Sequence, residues 1–104
     1  PLGVSPWLRI EITEDSRTHI VAASEWWSEN RPSAPGAVVE EIDYVFELLC
    51  LQPEMGTRVR GAKLSGVRRV TLPRIRYFLF YRVTENVLQV LALWHASRGQ
   101  GPTL

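Results

Sequence analysis

The sequence predicts an α+β fold with the element order β-α-α-β-β-β, in which a helical hairpin packs on a mainly antiparallel, curved sheet. Two consecutive segments between Glu14 and Leu51 repeat their apolar residues with the period of a helix. Three later segments are rich in β-branched and aromatic residues and are separated by short turns, which indicates antiparallel strands. The length suits one modest core, so residues 1–104 are interpreted as a single domain.

The first strand is predicted over Trp7–Thr13, where apolar residues alternate with charged ones as in a half-buried strand. The acidic and hydroxyl side chains of Glu14–Ser16 follow at once, and they are typical of the first turn of a helix. Residues 1–6 precede this pattern, and they are expected to be a tag remnant or a disordered start.

The first helix carries an apolar arc that includes His19, Trp26 and Trp27, and it ends at residues 31–36, which contain two prolines. A histidine on such an arc is usually a satisfied core residue, so His19 is interpreted as structural. The two tryptophans are candidate contacts for a partner wherever their indoles are exposed.

The second helix is predicted over about Ala37–Leu51, with an apolar stripe on one side and acidic residues on the other. Tyr44 and Leu48 fall at the edge of the stripe, so we expect them to be partly exposed and to be further candidate contacts. Pro53 and Gly56 end this helix. A short loop joins the two helices, which is the arrangement of a helical hairpin.

The three later strands are predicted over residues 67–72, 75–83 and 87–94. Alternation in the second of them places Arg76, Phe78, Phe80 and Arg82 on one face and Tyr77, Leu79, Tyr81 and Val83 on the other. The third is apolar on both faces, as expected for a central strand that is covered on both sides. The residues after His95 are polar and rich in glycine, so residues 99–104 are expected to be a flexible tail.

Charge is divided unevenly along the chain. Residues 1–57 hold three arginines against ten acidic residues, a net charge of −7, whereas residues 58–104 hold nine cations against Glu85 alone, a net charge of +8. Eight of these nine cations are arginines, which form bidentate contacts with phosphate and carboxylate groups. Such asymmetry indicates a nucleic-acid or acidic-protein partner, although an acidic helical layer that neutralises a basic sheet would also produce it.

Six arginines of the basic half are candidate target- or nucleic-acid-binding residues that could line one concave side of the sheet: Arg68, Arg69, Arg74, Arg76, Arg82 and Arg98. With flanking aromatic side chains, such a surface is similar to a site for an RNA or DNA backbone, and it would equally accept an acidic peptide. His95 follows the last strand beside these arginines. It is a candidate proton donor, with the alternative that it only caps the strand end.

Several kinds of chemistry are excluded by the residue content. One cysteine and two scattered histidines are too few for a zinc site, and neither a glycine-rich phosphate loop nor a serine nucleophile motif occurs. We therefore expect neither a metal nor a cofactor. No apolar run reaches the roughly 20 residues of a membrane helix, no signal peptide is visible, and the lone Cys50 fits a reducing compartment. The expected location is cytoplasmic, with no membrane partner.

The order of these motifs resembles the RelE/ParE superfamily of toxins from bacterial type II toxin–antitoxin systems. The similarity is carried by the arginine-bearing segment 66–70, the tyrosine-containing strand 76–83, the apolar strand 87–93 and the histidine-containing segment Trp94–Arg98. Pro53–Gly56, after a leucine-rich helix, matches the same pattern, and the resemblance extends over about residues 8–99. It implies the same α+β fold and an antitoxin partner.

The resemblance implies one of two activities. ParE-like members inhibit DNA gyrase by binding, whereas RelE-like members are ribosome-dependent mRNA endonucleases that use a basic cluster with a C-terminal Tyr or His. No tyrosine follows His95, which favours the ParE-like activity without catalysis. If the protein were a nuclease, His95, Arg68 and Arg98 would be its catalytic residues. A third hypothesis is a toxin fold that only binds an antitoxin or nucleic acid.

The resemblance also implies how the antitoxin would bind. A ParD-like antitoxin would cover the helical hairpin and the basic sheet with an acidic, amphipathic segment. The candidate contacts are the partly exposed aromatic and aliphatic residues of the two helices, namely Trp26, Trp27, Tyr44 and Leu48.

Overall fold

The computed structural model describes residues 8–104, so the predicted tag remnant at residues 1–6 and the predicted strand position of Trp7 lie outside the described residues. The elements in chain order are β1 (Arg9–Ile12), α1 (Glu14–Asn30), α2 (Ala37–Leu51), β2 (Thr57–Arg58), β3 (Arg68–Leu72), β4 (Tyr77–Thr84) and β5 (Val87–His95). The predicted α+β order is confirmed. The two-residue β2 is an addition that the sequence pattern did not indicate.

The five strands form one sheet in the order β1-β5-β4-β3-β2. β1 runs parallel to β5 and the other neighbours are antiparallel, as predicted for a mainly antiparallel sheet. The long connection between β1 and β5, which contains both helices, is what parallel pairing requires. β5 buries Leu88 and Val90 on one face and Leu91 and Ala92 on the other, which confirms the predicted central strand.

Both helices cover one face of the sheet, which we call the helical face. Its core joins Ile42 and Leu49 of α2 to Leu72, Leu79 and Tyr81 of the sheet. Each of these side chains is at most 4% exposed, so they form the main hydrophobic core of the domain. The helical hairpin is held on the sheet by this burial, as its amphipathic pattern predicts.

The opposite face of the sheet, which we call the distal face, carries a smaller apolar cluster. Phe80, Leu91 and Ala92 are buried there, and Leu104 packs against them. The carbonyl of Leu104 also accepts a hydrogen bond from the backbone N–H of Lys63 at 2.6 Å. Residues 99–104 thus lack helix and strand, as predicted, but they lie on the distal face. Their flexibility stays a prediction.

β4 begins at Tyr77 and not at Ile75, which removes Arg76 from the strand. Residues 73–76 form the turn between β3 and β4, and Arg76 has a φ of 63°, a left-handed conformation that a strand does not contain. Ile75 is buried in the core of the helical face and holds the turn against it. The predicted face of Arg76 is therefore wrong, whereas Tyr77 and Phe78 onward alternate as predicted.

A β-bulge interrupts the pairing of β4 with β5. Phe80 pairs with Ala92 and Tyr81 pairs with Val90, so Leu91 is an extra residue on β5. Bulges bend a strand and increase its twist. The curvature expected of this sheet stays a prediction.

The N-terminus of α1 is attached to β5. Thr13 is the N-cap, one residue before the predicted capping group, and its Oγ1 accepts a hydrogen bond from the backbone N–H of Ser16 at 3.2 Å. The buried Ser16 Oγ donates to the carbonyl of Val90 at 3.0 Å. His19 packs its ring edge against Trp94 with 5.6 Å between the centroids, which agrees with its interpretation as a structural residue. Among residues 8–104, no helix has the length and apolar character to cross a membrane.

Candidate partner-binding surfaces

One end of the molecule carries an open groove of about 530 Å³. It lies where the C-terminal end of α1 meets the β3–β4 turn and the last residue of β5. Its lining consists of Trp26, Trp27, Arg31, Arg74, Ile75, Arg76 and His95. We call it the tryptophan groove. It brings two of the predicted antitoxin contacts together with two of the predicted target-binding arginines and with His95.

The two indoles and Arg31 form one side of the tryptophan groove. Trp26 is 47% exposed, and Trp27 is half-buried with its ring centroid 6.1 Å from that of Trp26. The guanidinium carbon of Arg31 lies 5.7 Å from the Trp26 ring and 5.8 Å from the Trp27 ring, within cation–π range. The buried Nε1 of Trp27 has no hydrogen-bond partner within the described residues. This side therefore offers apolar area and positive charge.

The β3–β4 turn supplies the other two guanidinium groups. Nη1 of Arg74 lies 3.1 Å from Oε1 of Glu40, and its backbone N–H donates to Glu41 at 3.3 Å. Arg76 is exposed, and no carboxylate within residues 8–104 lies within 4 Å of its guanidinium. Arg74 is thus partly neutralised by α2, whereas Arg76 presents a free cation to the groove.

His95 lies at the end of β5, directly opposite Tyr77 of β4. The two rings meet edge to face with 4.9 Å between their centroids. The backbone N–H of Ser97 donates to Nδ1 of His95 at 3.1 Å, and the Ser97 hydroxyl lies 2.6 Å from the same atom. Because Nδ1 is the acceptor, the neutral ring carries its proton on Nε2. His95 therefore caps the strand end, and its role as a proton donor stays a prediction.

Arg68 takes part in a hydrogen-bond network at the other end of β4. Its Nη1 donates to the carbonyls of Glu54 and Gly56 at 3.1 and 2.8 Å. The hydroxyl of Tyr81 donates to the carbonyl of Pro53 at 2.7 Å and accepts the N–H of Gly56 at 3.0 Å. A Cβ atom on Gly56 would lie 2.6 Å from that hydroxyl, so the position requires glycine. Arg68 thus holds the loop after α2 against the sheet.

Two arginines of the distal face lie over aromatic rings. The guanidinium carbon of Arg69 is 4.2 Å from the centroid of Phe78, and that of Arg98 is 3.6 Å from the centroid of Trp94. Arg82 instead donates through Nε to the side-chain oxygen of Gln89 at 2.9 Å. These three arginines therefore share the distal face, and two of them lie within cation–π range of an aromatic ring.

The six predicted arginines do not line one concave side of the sheet, and this expectation is wrong. Arg69, Arg82 and Arg98 lie on the distal face, whereas Arg68 bonds to the loop after α2 and Arg74 bonds to α2 itself. Adjacent residues of a strand point to opposite faces, and residues of a turn follow neither face.

The residues suggested for RNA cleavage are separated in the same way. His95 pairs with Tyr77, and Arg68 pairs with Tyr81 four residues further along β4, which is roughly 13 Å at the rise of a strand. Arg98 stacks on Trp94 of the distal face. Within residues 8–104, no group of His, Cys, Asp and Glu side chains could hold a metal ion. His95, Arg68 and Arg98 therefore do not meet at one point of the structure.

α2 presents an exposed apolar stripe formed by Tyr44, Leu48 and Leu51, which we call the α2 stripe. Tyr44 is 61% exposed and Leu51 is 57% exposed, while Leu48 is half-buried. The partial exposure predicted for Tyr44 and Leu48 is confirmed. Leu51 was not a candidate, although its spacing of seven residues from Tyr44 places it on the same side of a helix.

A second cationic groove, of about 360 Å³, lies on the distal face. We call it the distal groove. Its lining consists of Thr57, Arg58, Val59, Arg60, Arg69, Phe80, Gly101 and Pro102. Arg58 and Arg60 were not candidates because they precede the predicted strands and belong to no periodic segment. The sequence indicated a binding role for these two arginines only through their contribution to the positive charge of residues 58–104.

A helical hairpin on a five-stranded sheet, with exposed aromatic and cationic grooves, defines a small α+β domain whose surface is suited to binding a partner. The profile of the family described as ParE toxin of type II toxin–antitoxin system, parDE, matches residues 10–99. This chain therefore belongs to the ParE toxin family.

Comparison with solved structures agrees on the fold. A structure described as the chromosomal ParDE toxin–antitoxin system from P. aeruginosa superposes with a TM-score of 0.70 at 20% sequence identity. The superposition covers 89% of this chain and 100% of that chain. No curated protein sequence matches this chain. Membership of a toxin–antitoxin family implies an antitoxin partner.

Proposed function

We propose that this ParE-family toxin inhibits DNA gyrase by binding to it, without a catalytic step of its own. A ParD-like antitoxin neutralises it, and both act in the cytoplasm, where gyrase meets the chromosome. We infer the absence of catalysis from the distance between His95 and Arg68, whose partner residues on β4 are four positions apart. A general acid must lie within hydrogen-bond reach of the reacting atoms that a phosphate-binding group holds.

The contacts of Arg68 and His95, two of the three candidate catalytic residues, support a binding toxin. Arg68 uses its guanidinium to bind the carbonyls of Glu54 and Gly56. Nδ1 of His95 accepts from Ser97, and its ring packs against Tyr77. These contacts stabilise the fold and leave no common point at which a scissile phosphate would meet both residues.

The proposed antitoxin site consists of the α2 stripe and the tryptophan groove. An amphipathic helix of the antitoxin would lay its apolar face on Tyr44, Leu48 and Leu51, whose spacing suits contact with another helix. Acidic residues of the same segment would pair with the free guanidinium of Arg76 in the tryptophan groove. Trp26 and Trp27 would supply the aromatic contact area there.

Two assays run in parallel test the function. The purified toxin is added to gyrase with relaxed plasmid and, separately, to translating ribosomes with a defined mRNA. We expect loss of supercoiling, its recovery when the antitoxin is added first, and intact mRNA. The variant His95→Gln should inhibit gyrase as well as the wild type does, because no proton transfer is involved. Unaffected supercoiling together with mRNA cleavage that His95→Ala abolishes would identify a nuclease.

A further inference from the structure

Four exposed arginines line the distal groove and a depression beside it, and none of them has a carboxylate within 4 Å among residues 8–104: Arg58, Arg60, Arg69 and Arg98. The first three line the distal groove, and Arg98 lines the depression, which has a volume of about 510 Å³. Gly101 borders both cavities, so the four cations surround one continuous surface. Like charges this close repel one another, and a bound polyanion would relieve that repulsion.

The acidic residues of the chain do not neutralise this surface. Glu40 pairs with Arg74 on the side of the helices, and Glu11 accepts a hydrogen bond at 2.7 Å from Gln89, which in turn bonds Arg82. Neither Glu40 nor Glu11 lines the distal groove or the depression beside it. The positive potential of the distal groove remains directed to solvent.

Two of these arginines lie over aromatic rings, which positions their guanidinium groups before a phosphate binds. The guanidinium carbon of Arg69 lies 4.2 Å from the centroid of Phe78, and that of Arg98 lies 3.6 Å from the centroid of Trp94, both within cation–π range. A guanidinium has five N–H donors, so one that lies over a ring still has N–H groups for a bidentate bond to phosphate oxygens. The contacts with the rings also restrict the side chains before binding, which lowers the entropy lost when a ligand is held.

We propose that the distal groove binds the phosphodiester backbone of double-stranded DNA. Duplex DNA carries one negative charge per roughly 1.7 Å of its axis, so several closely spaced arginines can be neutralised together. The choice of DNA over RNA rests on the proposed function, because gyrase holds a DNA duplex that a bound toxin would reach. The residues used, Arg58, Arg60, Arg69 and Arg98, are separate from the proposed antitoxin site.

The test is a binding assay with the toxin alone and a fluorescent DNA duplex of about 20 base pairs. Fluorescence anisotropy measures the affinity at salt concentrations between roughly 50 and 200 mM. With four contributing arginines, the logarithm of the affinity should fall with the logarithm of salt with a slope of about −3 to −4. Arg58→Gln and Arg60→Gln should each make that slope shallower by about 1. Arg60 is exposed in a loop, so its variant retains the fold.

The matched control is Arg17→Gln, which removes an exposed arginine of α1 that lines neither the distal groove nor the depression beside it. Its slope should equal that of the wild type. Binding with no salt dependence, an equal effect of Arg17→Gln, or tighter binding of an RNA duplex of the same length would overturn the proposal.

The assay contains no gyrase, so it separates this proposal from the proposed function. DNA binding by a toxin that leaves supercoiling unaffected would support the distal groove and refute gyrase inhibition. Gyrase inhibition that is identical in the wild type and in the combined Arg58→Gln, Arg60→Gln variant, without measurable DNA binding, would refute the distal groove alone.

Discussion

Nδ1 of His19 accepts a hydrogen bond from the backbone N–H of Leu93 at 3.3 Å. β1 ends at Ile12, which pairs with Val90, so β1 does not extend beside the rest of β5. α1 supplies side chains there: Ser16 donates to the carbonyl of Val90 at 3.0 Å, and His19 accepts from Leu93. Two helical side chains thus continue the hydrogen bonding of β5 where strand pairing stops, as buried backbone groups require.

We expect this contact to make the stability of the fold depend on pH. Burial lowers the pKa of His19 below its ordinary value of 6.5, Asp15 opposes this shift, and Arg98 adds to it. The unfolded chain therefore binds a proton more readily than the folded protein does. The contribution of His19 is complete above pH 6.5, and it is lost as the pH falls from 6.5 through the lowered pKa of the folded state. Urea unfolding at a series of pH values measures this loss.

His19→Gln is the matched variant for that measurement. Its side-chain oxygen can accept the N–H of Leu93, but it does not titrate. The free energy of unfolding of the variant should fall less between neutral and mildly acidic pH than that of the wild type. Equal slopes for the two proteins would show that His19 does not cause the pH dependence.

Tyr81→Phe should destabilise the domain by about 1–3 kcal/mol, because it leaves the buried N–H of Gly56 without its acceptor. The Tyr81 side chain is fully buried, so water cannot replace the lost hydroxyl without rearrangement. Tyr77→Phe is the control, since Tyr77 lies on the same face of β4 and its hydroxyl bonds to no described residue. Equal free energies of unfolding for the two variants would contradict the role assigned to the Tyr81 hydroxyl.

Tyr44→Ala should weaken antitoxin binding by about tenfold or more while leaving the free energy of unfolding nearly unchanged. The side chain is 61% exposed, so its removal costs little in the free toxin. Val39→Ala is the control on the same helix, because Val39 is 51% exposed and five residues away, on the opposite side from the α2 stripe. Calorimetric titration of the antitoxin into each variant provides the comparison, and equal losses would exclude the α2 stripe as the docking site.

Arg68 and Arg69 are adjacent in β3, yet we expect their substitution by glutamine to have opposite consequences. Arg68→Gln removes two hydrogen bonds to backbone carbonyls and should lower the free energy of unfolding by about 1–3 kcal/mol, with the DNA salt slope unchanged. Arg69→Gln should make that slope shallower by about 1 and affect stability less. A stability loss in Arg69→Gln that exceeds the loss in Arg68→Gln would reverse the assignment of the two side chains.

The local pattern of the sequence was sufficient for the helices and for most of the sheet. α2 occupies Ala37–Leu51 as predicted, because its apolar period and the breakers on either side act within the segment itself. The faces of β4 from Tyr77 onward and the central place of β5 also follow from alternation and continuous apolarity. The start of β4 could not be predicted from alternation, because the buried Ile75 belongs to a turn and its burial depends on contact with residues distant in sequence.

The sequence by itself determined the ParE-like order of elements and the concentration of arginine in the second half. The tertiary structure alone decided what each arginine does. Arg68 bonds to the loop that follows α2, and Arg74 is paired with Glu40. Arg69 instead lines the distal groove together with Arg58. The direction of a side chain is set within its own element, but its neighbours come from elements distant in sequence, and only folding brings them together.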